Sequence, residues 1–506
     1  MSSVNLGTHS IWQNVVMPHT QPLFENIETD VCIVGAGIVG LTVAYRLASR
    51  GKRVVVLDCG SIGGGETGHT TAHLMTALDD RYFNLEKMHG VEGATLAAES
   101  QVAAINYLEE IIHLEKIDCN FERVNGYLFS TSSLGQSLLD KECLAAHRVG
   151  LNDVKLVSSM PGLIKQTNLA LKFPEQGQFH PLKYLSGIAS SILNRGGKIF
   201  TQSHVVEVKG GSSAYIKVEN GSTVKTNAIV VATNSPINDR YTMHTKQAPY
   251  RTYAMAFELL EPSLPAALYW DTEDPYHYVR TYQDEHQNNF LIVGGEDHKT
   301  AQSNDSTLRF KRLESWTKQY FPNIGTLKYV WSGQVMEPSD GLAYIGKNRF
   351  DSDNVFIATG DSGTGITNGP IAALIISNLI DHLSHPWQAL YDPSRSALRH
   401  ASEFIKENIN VAIQYADLLT PGEVASIDEI EAGTGAIVRE GLHKYAVYKN
   451  ENGSIIKKHA ECPHLGCIVH WNSLEKSWDC PCHGSRFDIE GVVITGPSRK
   501  NLAAAS

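Results

Sequence analysis

The chain has 506 residues, 42% hydrophobic and 19% charged, with a formal net charge of −11. That length supports about two or three domains with sizeable cores, and the excess of acid over base argues against nucleic-acid binding or attachment to an anionic membrane surface. The longest apolar stretch, residues 370–380, is too short to span a bilayer and is interrupted by Asn378. The start of the chain is polar (Ser2, Ser3, Asn5, Thr8, His9) without a basic-then-apolar leader, so a cytoplasmic location is the expectation.

Residues 1–27 read as a lead segment punctuated by Pro18 and Pro22. Val31-Cys32-Ile33-Val34 then reads as a buried strand, followed by Gly35-Ala36-Gly37-Ile38-Val39-Gly40, a helical pattern over 41–50, a second strand at 54–57 and Asp58 at its end. This is a complete βαβ dinucleotide fingerprint. Gly35, Gly37 and Gly40 permit the tight turn and the close approach of a pyrophosphate to a helix N-terminus, and Asp58 is placed to accept from ribose hydroxyls. A second glycine-rich loop follows at 63–71, holding Gly64, Thr67, Thr70 and Thr71.

Residues 97–114 have helical periodicity, and 250–260, 276–282 and 289–294 alternate or run apolar like strands. Val205-Val206 and the apolar run ending at Ala232 read as further strands. Val355 to Ala358 is another, ending in a turn with Gly360, Gly363 and Gly365 that opens a helix. A nicotinamide enzyme does not need this late second loop; a flavin held along its whole length does. Residues 386–421 are polar and helical in pattern, with Pro386, Pro393 and Pro421, and read as a connector. Short strand patterns begin near Val424, as in a small β-domain.

That last region carries Cys462-Pro463-His464-Leu465-Gly466-Cys467 and Cys480-Pro481-Cys482-His483-Gly484-Ser485. Cys462, His464, Cys480 and His483 offer two thiolates and two imidazoles, the set that a [2Fe–2S] centre of mixed Cys/His ligation needs. A tetrahedral zinc site is the competing reading of the same residue types, although its usual spacings do not come with these boxes. Cys32, Cys59, Cys119 and Cys143 are scattered and read as packed single residues. His69 and His73 are four apart but lie in or beside the glycine-rich loop, and flavin-site or structural roles outweigh a metal pair.

The two C-terminal boxes closely resemble those of the Rieske domain family. The resemblance implies Cys462, His464, Cys480 and His483 as cluster ligands, a disulfide between Cys467 and Cys482, and a hydrogen bond from Ser485 to a cluster sulfur. Phe487 stands where the respiratory branch has Tyr, which implies one hydrogen bond fewer and a lower reduction potential than in that branch. Residues 28–385 resemble the D-amino-acid-oxidase-like (DAO) superfamily of FAD-dependent oxidoreductases. This implies FAD as cofactor, adenine contact near Val206 and a return strand ending at Ala232. It also implies that the turn at Gly360, Gly363 and Gly365 approaches the flavin's pyrimidine end. The combination, with Ser10-Ile11-Trp12 and Phe179-His180-Pro181, resembles bacterial FAD-dependent oxidoreductases with a fused Rieske domain.

The expected architecture is therefore an α/β FAD-binding Rossmann-like domain with an α+β antiparallel-sheet substrate domain inserted at about 80–175 and 240–335, then a small all-β Rieske domain over 422–506. The expected activity is oxidation of a C–N bond in a small amine or amino-acid-like substrate, with electrons leaving singly through the cluster to an external protein or quinone-like acceptor. A flavin and iron–sulfur relay between protein partners is the alternative. Many amine-oxidising relatives have an Arg for the substrate carboxylate in the segment that here reads Trp331-Ser332-Gly333-Gln334-Val335, and Val335 stands at its position. Arg280, with Arg251 as a weaker choice, is the candidate replacement; Gln334 is a candidate for a hydrogen bond to substrate or flavin.

Overall fold

The computed structural model describes residues 8–130, 133–161, 169–238, 243–260, 264–321, 323–348, 351–395, 410–411 and 414–505. The fingerprint strand Ile27–Val34 is central in an eight-stranded sheet. It pairs in parallel with Val54–Leu57 on one side and Thr223–Val231 on the other. Lys198–Phe200 and Val355–Thr359 extend this parallel core outward. Its strands are near-continuous apolar runs because helices cover a face of the sheet. Ile38–Ser49, packed between Pro181–Asn194 and Gly365–Ile380, supplies much of that cover. A hairpin of Val205–Lys209 and Tyr215–Val218 flanks this core.

A second sheet has nine strands and is antiparallel apart from the pairing of Glu122–Phe129 with Ala267–Asp271. Its long edge consists of Gln247–Leu259, Asn289–Lys299 and Ile324–Pro338. The expected strands are present and longer than their apolar cores suggested. The sheet also takes in His73–Leu74 and runs to Pro338, beyond the anticipated insertion limits, because backbone pairing continues past the alternating segments. The expected helix at 97–114 belongs to a longer one, Tyr82–Glu115, broken at Gly90, whose φ of 74° departs from the helical region.

The C-terminal part is all-β. Thr434–Glu440, His443–Lys449 and Ile455–His459 form one sheet; His470–Asn472, Ser477–Asp479, Arg486–Phe487 and Val493–Thr495 form another. Trp471, Trp478, Phe487 and Leu502 are buried in its core. Of the connector, Gln388–Tyr391 is a short helix; residues 396–409 and 412–413 lie outside the described residues, as do residues 1–7 of the lead segment. No helix among the described residues is long and apolar enough to cross a membrane.

Candidate functional site

A cavity of about 620 Å³ runs from the carboxyl ends of the parallel strands to the antiparallel sheet, within the size range of cofactor and ligand sites. At its first end Gly35 has φ +109°, and a Cβ there would lie 2.3 Å from the Ala232 carbonyl oxygen. Only glycine lets these strand ends meet. Gly37, Ile38 and Val39 bring an N-terminus without a side-chain cap to the lining, the arrangement that receives a pyrophosphate. Asp58 ends its strand by accepting the Ala36 N–H at 2.6 Å and the Gly60 N–H at 2.8 Å. Thr67 Oγ1 accepts the Ile38 N–H at 3.0 Å.

Among the predicted residues, Gly35, Gly37, Asp58, Gly64, Thr67, Thr70, Thr71, Ala232, Gly363, Gly365 and Gln334 line this one cavity. Four others do not. Gly40 faces the turn, where a Cβ would be 1.9 Å from the Gly35 carbonyl oxygen, so it permits close helix–strand packing. Val205, not Val206, lines the cavity, as the alternation of a strand requires; the Val206 carbonyl instead accepts from Arg499 at 3.2 Å. Gly360 has φ +70° and sits against Gln247 and Tyr344.

Arg280 is the larger correction. It is buried, and its Nη1 donates to the carbonyls of Thr71, Ala72 and Phe179 at 3.2, 2.8 and 3.1 Å, with its guanidinium over the Trp12 ring. Burial pushes its pKa down to about 9. It secures the glycine-rich loop from behind and has no place on the lining. Arg251 is committed elsewhere too: it donates to Ser332 at 2.8 Å and to Asp479 of the C-terminal domain at 3.2 Å.

His69 and His73 sit on a 3-10 turn and a strand. Both line the cavity. His69 contacts the Gly65 carbonyl and His73 the Thr71 hydroxyl, each at 3.0 Å. Burial and Arg280 push His73 down to about 3, so it is neutral.

The far end of the cavity went unread in the sequence. Asp79, Trp270, Tyr276, Tyr278, Thr252 and Asp297 converge there. They come from two loops and four strands, and no local motif links them. Burial pushes Asp79 up to about 6 and Asp297 up to about 7.

In the C-terminal domain, Cys462 and Cys480 are buried thiols within hydrogen-bonding reach of each other. The His464 and His483 rings lie 5.0 Å apart. Burial, together with His244 and His464, lowers the pKa of His483, leaving the neutral form that metal ligation needs. Two buried thiols beside two imidazoles fit the four-ligand set of a Rieske cluster. Cys467 and Cys482 form a disulfide joining the two loops, and the Ser485 hydroxyl reaches Cys462.

The two domains share the site. Glu475, Arg486, Val493 to Gly496 and Ser498 of the C-terminal domain line the same cavity as the glycine fingerprint. Gln334 Nε2 donates to the Gly484 carbonyl at 3.0 Å, beside the His483 position. His244 packs edge-on against His464 and tilted against His483, with ring centroids 4.6 and 5.2 Å away. Asp479 is buried between Arg251 and Arg486. Burial acts to raise its pKa, but the two guanidinium groups hold the carboxyl below the usual range.

Residues 30–379 match the family profile described as FAD dependent oxidoreductase (DAO). The chain belongs to the DAO family. Residues 420–506 match the Rieske [2Fe-2S] domain, so this DAO-family protein binds FAD in its first domain and a [2Fe–2S] cluster in its second. It is 29% identical to the Rieske 2Fe-2S iron-sulfur protein YhfW of Bacillus subtilis (strain 168), over 96% of this chain and 95% of that protein. It is 25% identical to the gamma-glutamylputrescine oxidoreductase of Escherichia coli (strain K12), over 71% of this chain and 85% of that one. The fold of the DAO part also matches a glycine oxidase from Geobacillus kaustophilus, with TM-score 0.60 and 17% identity, over 73% of this chain and 100% of that chain. The protein is thus an FAD oxidoreductase related to amine and amino-acid oxidases, carrying a Rieske domain.

Proposed function

We propose that this protein is a dehydrogenase that oxidises the C–N bond of a small amine and exports the electrons singly through its Rieske cluster. FAD supplies acceptance of a hydride from carbon, and the cluster supplies one-electron transfer onward to an external acceptor. The observation that carries the reading is the shared cavity: the dinucleotide fingerprint, the substrate end and residues of the Rieske domain line one continuous space. Cys462, His464, Cys480 and His483 are the proposed cluster ligands.

The chain's own residues divide the work. Gly35, Gly37, Asp58 and the helix start at Ile38 hold the dinucleotide. The side chain of Gln334 links the cavity wall to the loop that carries Cys480 and His483, which gives electrons a short route to the cluster loop. The Arg251–Asp479–Arg486 group fixes the Rieske domain in this docked position. Thr252, Tyr278 and Trp270 wall the substrate end, and their packing excludes water from the reacting carbon. A relay without its own substrate would have no use for that end.

The test is anaerobic. The cofactor-replete protein is mixed with a panel of amines, N-methyl amino acids and amino acids while flavin absorbance and the reduced-Rieske EPR signal are followed together. An amine that bleaches the flavin and raises the EPR signal supports the reading. If dithionite raises the signal and nothing on the panel does, the reading fails.

A further inference from the structure

The far end of the cavity has a charge that bears on the substrate. Arg280 and Arg251, the candidate partners for a substrate carboxylate, are both consumed by backbone carbonyls, a serine and Asp479. Arg486 lines the cavity but is committed to Asp479 at 3.2 Å and Glu475 at 3.8 Å. Among the described residues lining the cavity there is no other Arg and no Lys. A substrate carboxylate entering here would find no free Arg or Lys among the described lining residues.

What the far end offers instead is carboxyl groups and aromatic faces. Asp79 and Asp297 both line it, with Trp270, Tyr276 and Tyr278. Asp79 Oδ2 accepts from the Tyr276 hydroxyl at 3.3 Å. The Tyr278 hydroxyl is 2.7 Å from Thr252 Oγ1, which in turn reaches Asp297. The Oδ1 atom of Asp297 is buried and has no hydrogen-bond partner among the described residues. A buried carboxylate oxygen without a donor is costly unless a ligand supplies one. A Cβ placed on Gly363 would lie 2.9 Å from Asp79 Oδ2 and 3.6 Å from the Tyr276 hydroxyl, so these two groups lie over the glycine turn that also lines the cofactor cavity. Behind them stands a third carboxyl, Glu337, which accepts from Ser362 at 3.0 Å and whose pKa is pushed well up by burial and by Asp80 and Asp79. Carboxylates beside aromatic rings form a receptor for an organic ammonium group, by ion pairing and cation–π contact together.

We infer that Asp79, Asp297, Trp270, Tyr276 and Tyr278 form a binding subsite for a substrate ammonium group, and that the substrate is a cationic amine without a carboxylate at that end. This rests on the amine-dehydrogenase reading and narrows it from amines or amino acids to cationic amines.

The experiment measures binding without turnover. The oxidised, cofactor-replete full-length protein is titrated with tert-butylammonium, which carries N–H donors but no α-hydrogen to be oxidised, and, separately, with acetate and pivalate, and the shift of the flavin absorption bands is followed. The wild type is expected to respond to the ammonium and not to the carboxylates. Asp297→Asn and Asp79→Asn are expected to weaken ammonium binding about tenfold or more, the effect of losing a charged hydrogen-bond partner, with flavin content unchanged. Carboxylates binding in preference to the cation, or no response to the cation, overturn the inference. So do Asn variants that bind the cation as tightly as the wild type. If the variants lose flavin, the discrimination shown by the wild type between cation and carboxylate decides alone. Failure of the broader reading looks different: the cation binds and the variants lose it, yet no amine on the panel reduces the flavin. Conversely, amino acids reducing the flavin with no cation binding would sink this inference and leave the dehydrogenase standing.

Discussion

The two ends of the cavity are built by different means. The dinucleotide end is made of backbone: Gly35 and Gly37 at a strand-to-helix turn, with Asp58 tied to two N–H groups. The proposed substrate end is made of side chains from loops and strands distant in sequence, with two carboxyl groups and three aromatic rings. Backbone geometry suits the invariant phosphates of a dinucleotide. Side chains are free to vary, and here the far end presents carboxyl groups where a carboxylate-binding site needs cations. The Rieske domain closes over this asymmetric cavity and meets it at Gln334 and Arg251.

The largest expected effect comes from breaking the closure. Arg251→Met leaves Asp479 buried with Arg486 as its remaining ionic partner, and loss of one partner from a buried pair costs about 3 kcal/mol. Thermal unfolding followed by FAD release should shift to a clearly lower temperature. An unchanged transition would show that the ion pair does not hold the domains together.

A smaller effect is expected at the contact between cavity and cluster loop. Gln334→Leu removes the hydrogen bond to the Gly484 carbonyl, worth about 1 kcal/mol. Stopped-flow traces should show appearance of the reduced cluster slowed by roughly fivefold, the rate equivalent of that energy, with flavin bleaching little changed. Equal slowing of both phases would mean that Gln334 acts on the substrate rather than on the route to the cluster.

The acidic end predicts a pH dependence with a definite sign. Asp79 faces Arg81, Asp80 and Tyr276, while Asp297 faces Thr252, Asp79, His277 and Arg309; burial dominates both and raises them to about 6 and about 7. Unfolded carboxyls ionise near pH 4, so from about pH 4 to 7 the folded protein binds more protons than the unfolded chain. Their contribution to stability is fully present below that window and falls as pH rises through it. A cation stabilises the ionised forms, so its affinity should rise between about pH 6 and pH 7, with proton release detectable by calorimetry in buffers of different ionisation enthalpy. A flat affinity over that range would separate the carboxylates from the ligand.

The smallest change tests the Rieske end alone. Phe487 is fully buried beside the cluster loops. Phe487→Tyr restores a hydroxyl toward the sulfur environment and is expected to raise the reduction potential modestly, measured by EPR-monitored redox titration.

The sequence by itself determined both cofactor domains, because their signals are local. A strand, three glycines, a helix and an acid within residues 31–58 specify a phosphate cradle through backbone geometry alone. Two boxes within residues 462–485 carry two thiols and two imidazoles at close spacing. Lesser details, such as which of Val205 and Val206 faces inward, depend on strand phase and were misread. What only the tertiary structure decided is where charged side chains go. Arg280 and Arg251 sit on strands that the sequence located well, yet one points to the back of the glycine-rich loop and the other into the domain interface. Asp79 and Asp297 meet only because a loop and an antiparallel sheet converge on the same cavity. The sign of charge at the substrate end is a sum over side chains brought together from across the chain, and no local pattern contains it.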